Sequence, residues 1–587
     1  MTRFNTLFAA TMLLLLATTA TALCCTTMII TKGASADGSM MVAHSDDDEL
    51  GDQRFILVPA RPQQGKRQIF AEHYRYPRIS TKERGPAYDT GAPYTKPLYE
   101  LPYKNIWAIL GHSVPVSYAY YDGAYGIMNE HNLMLGECTN GAYYEPKPNN
   151  GDKPGPMRLF YSSELSRVAL ENCKTAREAI TLMGGLIDKY GFYSTGETLL
   201  VADPNEAWVF EMCALGDQSR HSAWVAQRVP DGMVFVAANE FRIRNVDFKD
   251  KEHKNFYWSK HLPKGCMQTG HWDGKTKFDW LKAVSPGEYN HPYYSLRRVW
   301  RVLDRVNPDL GLSPWVRDGY TTAYPFAVAP KKKLTPHDVF ALYRDHYEGT
   351  QFDLTKGVAA GPYGDPHRFV GPYDNPQNDI SDSSTPPAGA WERAISVFYQ
   401  GYTFVCQWRP DAPDMTKGLV WHGPDVSYTT CFAPFFAKAN NLNPAYSSGS
   451  PQKLDRKAAW WAFDYVNSLS RLNFQRMTRN DILPLQRQLE QESLEFVARM
   501  DKLMVNPPKS APLILGKEAT ANSNRMLERW WDLGDMLIAK YSDGYINLPN
   551  GRYSEPAPGT MPIEVGYPAT WLDKTNYRQG PTTYDMK

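Results

Sequence analysis

The feature that most limits the fold of this 587-residue chain is that its apolar segments come as short pairs joined by tight polar turns. Cys25-Thr-Thr-Met-Ile-Ile-Thr-Lys32 and Met40-Met-Val-Ala-His44 flank a Gly/Ala/Ser/Asp cluster at 33–39 and predict a β-hairpin. Tyr125-Gly-Ile-Met-Asn-Glu130 and 133–137 form a second pair. The segments 198–202 and 207–211 flank Asp203-Pro-Asn205, and 223–229 and 233–237 flank Pro230-Asp-Gly232, predicting two further hairpins. Between the pairs, 162–189 predicts two helices. Thr175-Ala-Arg-Glu178 is a capping box ahead of the stripe Ala179, Ile180, Met183 and Leu186. A helix follows from Tyr294 to near Asn307, strands return over 394–407, and helical spacing fills 455–474, 478–504 and 518–541. Segments 60–110 and 350–390 read as long loops. Strand pairs, a helix pair and strand pairs again predict an α+β fold with antiparallel sheets.

The first hairpin carries the chemistry. If Lys32 faces Met40 across its turn, Cys25 faces Asp47 on the same sheet face, about 4.5–5.5 Å away. A slip of one residue would undo that pairing. A cysteine that begins its chain can act as nucleophile and base together. Its thiol attacks a carbonyl, and its own α-amine, with a reference pKa near ~7.7–8.0, takes and returns the proton.

Such an amine exists only after processing, and the sequence before Cys25 suits that. Arg3, the apolar run 7–16 and the small residues after it have the layout of a secretory signal. The run is shorter than the ~20 residues that cross a bilayer, so no membrane anchor is expected in the mature form. Small-x-small patterns place the cut before Leu23 or before Cys25, leaving a secreted or periplasmic protein. Export permits disulfides. The 8 cysteines are widely spaced, without CxxC or CxxCH, and the histidines show no HExxH, which disfavours structural zinc, a thioredoxin-type motif and c-type haem, and no cofactor is expected. Lys+Arg 64 against Asp+Glu 63 leaves no electrostatic footprint for nucleic acid.

The ordered motifs resemble the PepD-like dipeptidases, a family of N-terminal nucleophile (Ntn) cysteine hydrolases. They are Cys25-Thr-Thr27, Ala36-Asp-Gly-Ser39, Asp46-Asp47, Gly126-Ile-Met-Asn-Glu130, Leu135-Gly-Glu137, Ala202-Asp-Pro-Asn-Glu-Ala-Trp208, Ala238-Asn-Glu-Phe-Arg-Ile243, Tyr294-Ser-Leu-Arg-Arg298, Arg344-Asp-His-Tyr-Glu-Gly-Thr350 and Gly566-Tyr-Pro568. The resemblance implies a four-layer αββα sandwich and metal-free hydrolysis of dipeptides through a Cys25 thioester. It implies a leader over 1–24, a catalytic domain over 25–450 and a helical extension over 451–587. By motif, the partners of Cys25 fall on Asp47, Asn239 as oxyanion donor, and Arg297, with Arg298 as the alternative to Arg297. Glu137 and Arg242 are candidates for holding the substrate's charged ends. Relatives often carry Arg-Asn where this chain has His44-Ser45, which makes His44 a candidate proton partner. The oxyanion donor that related hydrolases place near 138–140 finds no clear match. Two other readings stay open: an Ntn acylase of bile-salt or penicillin V type, and a non-catalytic exported binding protein.

Overall fold

The computed structural model describes residues 25–48, 52–71, 96–216, 221–288, 293–368, 392–547 and 562–575. The leader expected over 1–24, Cys24 included, and parts of the expected loops lie outside them. Two antiparallel sheets form the centre. The first runs, in spatial order, Ala327–Val328, Val234–Ala237, Thr26–Ile30, Met40–Asp46, Tyr402–Trp408, Gly418–Pro424 and Ala433–Phe436. The second runs Phe256–Trp258, Ser222–Val229, Ala207–Ala214, Gly196–Ala202, Met134–Asn140, Gly126–Asn129, Tyr120–Asp122 and Ile56–Val58.

The sheets meet face to face. Ile29, Met40 and Val42 of the first share one apolar core with Leu200, Val209 and Cys213 of the second. Gly136 marks the closest approach: a Cβ there would lie 2.8 Å from Thr27 Oγ1 and 3.1 Å from Val42 Cγ1. Gly136→Val is therefore expected to force the sheets apart and cost about 1–3 kcal/mol, read as a lower urea midpoint.

Helices cover both outer faces. Ser162–Asn172 and Ala176–Tyr190 pack on the second sheet through Val168, Ile180 and Met183, against Leu135, Leu199 and Phe210. The capping box at Thr175 forms as read, with Glu178 N–H donating to the Thr175 side chain. Leu296–Val306 and Pro336–Tyr343 cover the first sheet. Ala459–Ser470, Leu483–Leu503 and Ala511–Tyr541 form a C-terminal helical region against the strands Gly418–Pro424 and Ala433–Phe436. The result is the α+β Ntn-type arrangement, helices outside two antiparallel sheets.

Three local readings need correction. The segments 223–229 and 233–237 are not a hairpin. Ser222–Val229 lies in the second sheet, whereas Val234–Ala237 pairs with Thr26–Ile30 in the first. Pro230-Asp-Gly232 thus carries the chain between sheets, which turn residues alone do not distinguish from a hairpin. Within 60–110, Lys66–Ile69 and Tyr99–Pro102 form a small two-stranded sheet and Tyr103–Leu110 a helix. The register of the first hairpin is one residue off the expected one. Ile30 faces Met41 and Thr26 faces Ser45, so the ladder extends to place Cys25 opposite Asp46. A 3-10 turn at Lys32–Ala34 breaks the symmetry assumed for the loop. Both strands are buried along their whole length, so apolar alternation does not mark the register.

Candidate active site

Cys25 sits at the head of the strand Thr26–Ile30, fully buried between the sheets. Its carbonyl accepts from Arg298 Nη1 at 2.9 Å and from the Cys138 thiol at 3.5 Å. The next residue is held as firmly. Thr26 N–H donates to Ser45 Oγ, its carbonyl accepts from Tyr343 OH at 2.9 Å, and its hydroxyl oxygen lies 2.9 Å from Arg298 Nη1. The start of this strand is fixed from three elements distant in sequence.

Carboxylates surround the thiol. Asp46 lies close, with a carboxylate oxygen, the Cys25 sulfur and a His44 ring nitrogen all within 4.8 Å of one another. Glu137 acts on the Cys25 thiol through its charge and accepts from Thr139 Oγ1 at 2.8 Å. Asp47 is turned toward Arg393, whose Nη2 donates to it at 2.5 Å. Burial, followed by the charges of Glu137, Asp46 and Asp47, pushes the Cys25 thiol well above its ordinary pKa. Burial likewise raises Asp47, against the opposing pull of Arg393. These surroundings favour the neutral thiol over the thiolate. A thiolate needs an added positive charge beside it.

Glu137 belongs to a buried pair. Glu197 interacts with it and accepts from Tyr161 OH. Burial and the neighbouring carboxylate lift Glu197 well above its ordinary value of 4.5, and burial lifts Glu137 as well. The folded chain therefore binds protons that the unfolded chain has released, and stability falls as pH rises above about 4.5 until both groups have ionised. Glu197→Gln keeps an acceptor for Tyr161 and removes one titration. It is expected to flatten that fall: relative to the native chain, its urea midpoint should improve between about pH 5 and about pH 8.

The basic and amide candidates separate sharply. Arg298 Nη2 donates to Asn239 Oδ1 at 2.6 Å, so a single guanidinium joins Cys25, Thr26 and Asn239. Asn239 is held in the left-handed region at φ 63°, a conformation asparagine tolerates. Its Nδ2 donates to the Thr139 carbonyl at 2.7 Å, and its backbone N–H donates to Cys138 Sγ. Arg297, the motif's first choice, points elsewhere. It pairs with Glu392 at 3.1 Å, donates to the Pro314 carbonyl, and stacks on Phe352 at 3.6 Å and Tyr293 at 4.2 Å. Adjacent helical residues point about 100° apart, and the basic pair alone does not say which one faces inward. Arg242 is also not at the thiol. Its guanidinium is spent on the carbonyls of Val236, Thr321 and Pro325, while its backbone N–H donates to Glu211. Glu197, Tyr161, Tyr343 and Arg393 join the site from outside the motifs, and Asp46 of the Asp46-Asp47 motif stands opposite Cys25 where Asp47 was expected.

A buried cysteine at a strand head, between two antiparallel sheets and ringed by carboxylates, an arginine and an asparagine, defines a cysteine-type hydrolase of Ntn architecture. The profile described as peptidase family C69 matches residues 24–85 and 157–484, and the chain belongs to that cysteine peptidase family. Similar proteins include a probable dipeptidase of Latilactobacillus sakei, 26% identical over 386 residues, 65% of this chain and 71% of that protein. A dipeptidase of Bifidobacterium longum (strain NCC 2705) is 24% identical over 353 residues, 57% of this chain and 59% of its own length. A probable dipeptidase A of Streptococcus pyogenes serotype M3 (strain SSI-1) is 23% identical over 444 residues, 74% and 80% of the two chains.

Proposed function

We propose that this peptidase hydrolyses free dipeptides through a Cys25 thioester, and that it does so as an exported protein whose first residue, after processing, is Cys25. The observation that carries the reading is the charge around the thiol. Asp46, Asp47 and Glu137 all work against a thiolate. An α-ammonium on Cys25 itself is the cation that offsets them, and removal of the leader creates it. The same carboxylates suit the free ammonium of a dipeptide, which an N-acyl substrate lacks.

The steps follow from these groups. The α-amine takes the thiol proton, and the thiolate sulfur attacks the scissile carbonyl carbon. Asn239, fixed by Arg298 and Thr139, supplies an amide N–H to the developing oxyanion; one such donor is typically worth ~10²–10³ in rate. The α-ammonium returns the proton to the leaving nitrogen as the C–N bond breaks. Water, deprotonated by the same amine, attacks the thioester; the C–S bond breaks and the sulfur regains its proton. Arg298 holds the Cys25 carbonyl and the Asn239 side chain in register throughout.

A substrate panel tests the reading. Free dipeptides should be turned over, while conjugated bile salts and penicillin V should not. Turnover confined to N-acyl substrates would replace the dipeptidase reading with an acylase, and turnover of neither would favour a binding protein.

A further inference from the structure

We infer that Cys25, His44 and Asp46 form a site for a thiophilic divalent cation, zinc in the first instance, which blocks the nucleophile when bound. The hairpin register creates the site. Thr27 faces His44, and Cys25 and Asp46 follow one alternation further on, so all four residues share one sheet face. That face looks across at Gly136 of the second sheet. The sulfur, a ring nitrogen and a carboxylate oxygen lie within 4.8 Å of one another. Thiolate, imidazole and carboxylate are the three side-chain donor types that zinc takes. Around a tetrahedral ion with bonds of ~2.0–2.3 Å, donor atoms sit about 3.5 Å apart, so small torsional changes close the set. Three protein donors leave one coordination position for water or a substrate group.

His44 is prepared as a ligand. Its Nδ1 lies 2.8 Å from the Glu137 carbonyl oxygen and 3.3 Å from the Glu137 backbone nitrogen, and Nε2 is buried without a hydrogen-bond partner. In the tautomer that donates Nδ1–H to that carbonyl, the closer of the two contacts, the ring is fixed as in a ligating histidine and the Nε2 lone pair is left for the metal. Tyr125, Tyr402 and Phe404 pack around the ring, with the Phe404 centroid 5.2 Å away. On binding, the S–H bond breaks, its proton leaves to solvent, and the sulfur pair forms the S–Zn bond. That pair is then no longer available to a carbonyl carbon. A chelator reverses the step.

The test uses the full purified protein, stripped with a chelator and titrated with Cd²⁺ as the spectroscopic probe and Zn²⁺ as competitor. The native chain should show a saturable thiolate-to-cadmium absorption band that is absent from Cys25→Ala and displaced by zinc. His44→Phe, which keeps the ring packing, and Asp46→Asn should each weaken binding by at least ~10-fold, with folding checked by far-UV circular dichroism. Should His44→Phe fail to fold, Asp46→Asn alone decides. An undiminished band in Cys25→Ala, or unchanged affinity in the ligand variants that fold, overturns the site. Inhibition of dipeptide hydrolysis by zinc rests in addition on Cys25 being the nucleophile. Binding at Cys25 without inhibition keeps the site and overturns the nucleophile reading. Inhibition without the Cys25 band does the reverse.

Discussion

Cys25→Ala is expected to lower kcat/KM for dipeptides by at least ~10⁴-fold while the protein stays folded. Removing a covalent nucleophile typically erases nearly all chemistry beyond binding and oxyanion stabilisation. The structural cost is small. The substitution deletes one sulfur from a buried position, and the backbone contacts of Cys25 to Arg298 and Cys138 run through its carbonyl oxygen, which alanine retains. A destabilisation near ~1 kcal/mol is expected, well within what a domain tolerates. Unchanged circular dichroism together with lost turnover therefore separates the chemical role from a structural one. Activity that survives in Cys25→Ala would remove the cysteine from the mechanism.

The second large effect distinguishes two adjacent arginines. Arg298→Lys should lower kcat by ~10²–10³-fold, because one guanidinium holds the Cys25 carbonyl, the Thr26 hydroxyl and the Asn239 carboxamide together. A lysine ammonium cannot reproduce that planar fork. It leaves buried acceptors unmet at about 1–3 kcal/mol each. Arg297→Lys, by contrast, loses stacking on Phe352 and Tyr293 and the pair with Glu392. It should lower the urea midpoint and change kcat/KM by less than about threefold. Steady-state kinetics and unfolding curves on both variants give the comparison. Equal losses of activity would mean that Arg298 has no special hold on the site.

Local chemistry made much of this legible in the sequence. The strands Gly196–Ala202 and Ala207–Ala214, the capping box at Thr175 and the C-terminal helices each carry their own turn, cap or periodic signal. What stayed out of reach depends on long-range packing. Pro230-Asp-Gly232 makes a turn in either sheet, and only the pairing of Val234–Ala237 with Thr26–Ile30 decides its role. Asp46 and Asp47 exchange places because the first hairpin, buried on both faces, has no polar face to mark its register. The choice between Arg297 and Arg298 is a matter of helix rotation on the sheet, and the stretch Leu296–Val306 is buried along most of its circumference. Arg242 is a candidate by residue type for holding a charged end of the substrate, but its guanidinium meets backbone carbonyls of a distant loop. Cysteine spacing left pairing open. Among the described residues, Cys25, Cys138, Cys173, Cys213, Cys266, Cys406 and Cys431 are all buried thiols outside any disulfide.

The account turns on a cysteine whose amine and thiol act together, so its most direct test joins three readings on one active sample: N-terminal sequence, intact mass after iodoacetamide, and residual dipeptide turnover. The expected result is a chain that begins at Cys25, carries one adduct on that residue, and loses activity in proportion to labelling. An active enzyme that retains residues ahead of Cys25, or that keeps its activity with Cys25 alkylated, would contradict it.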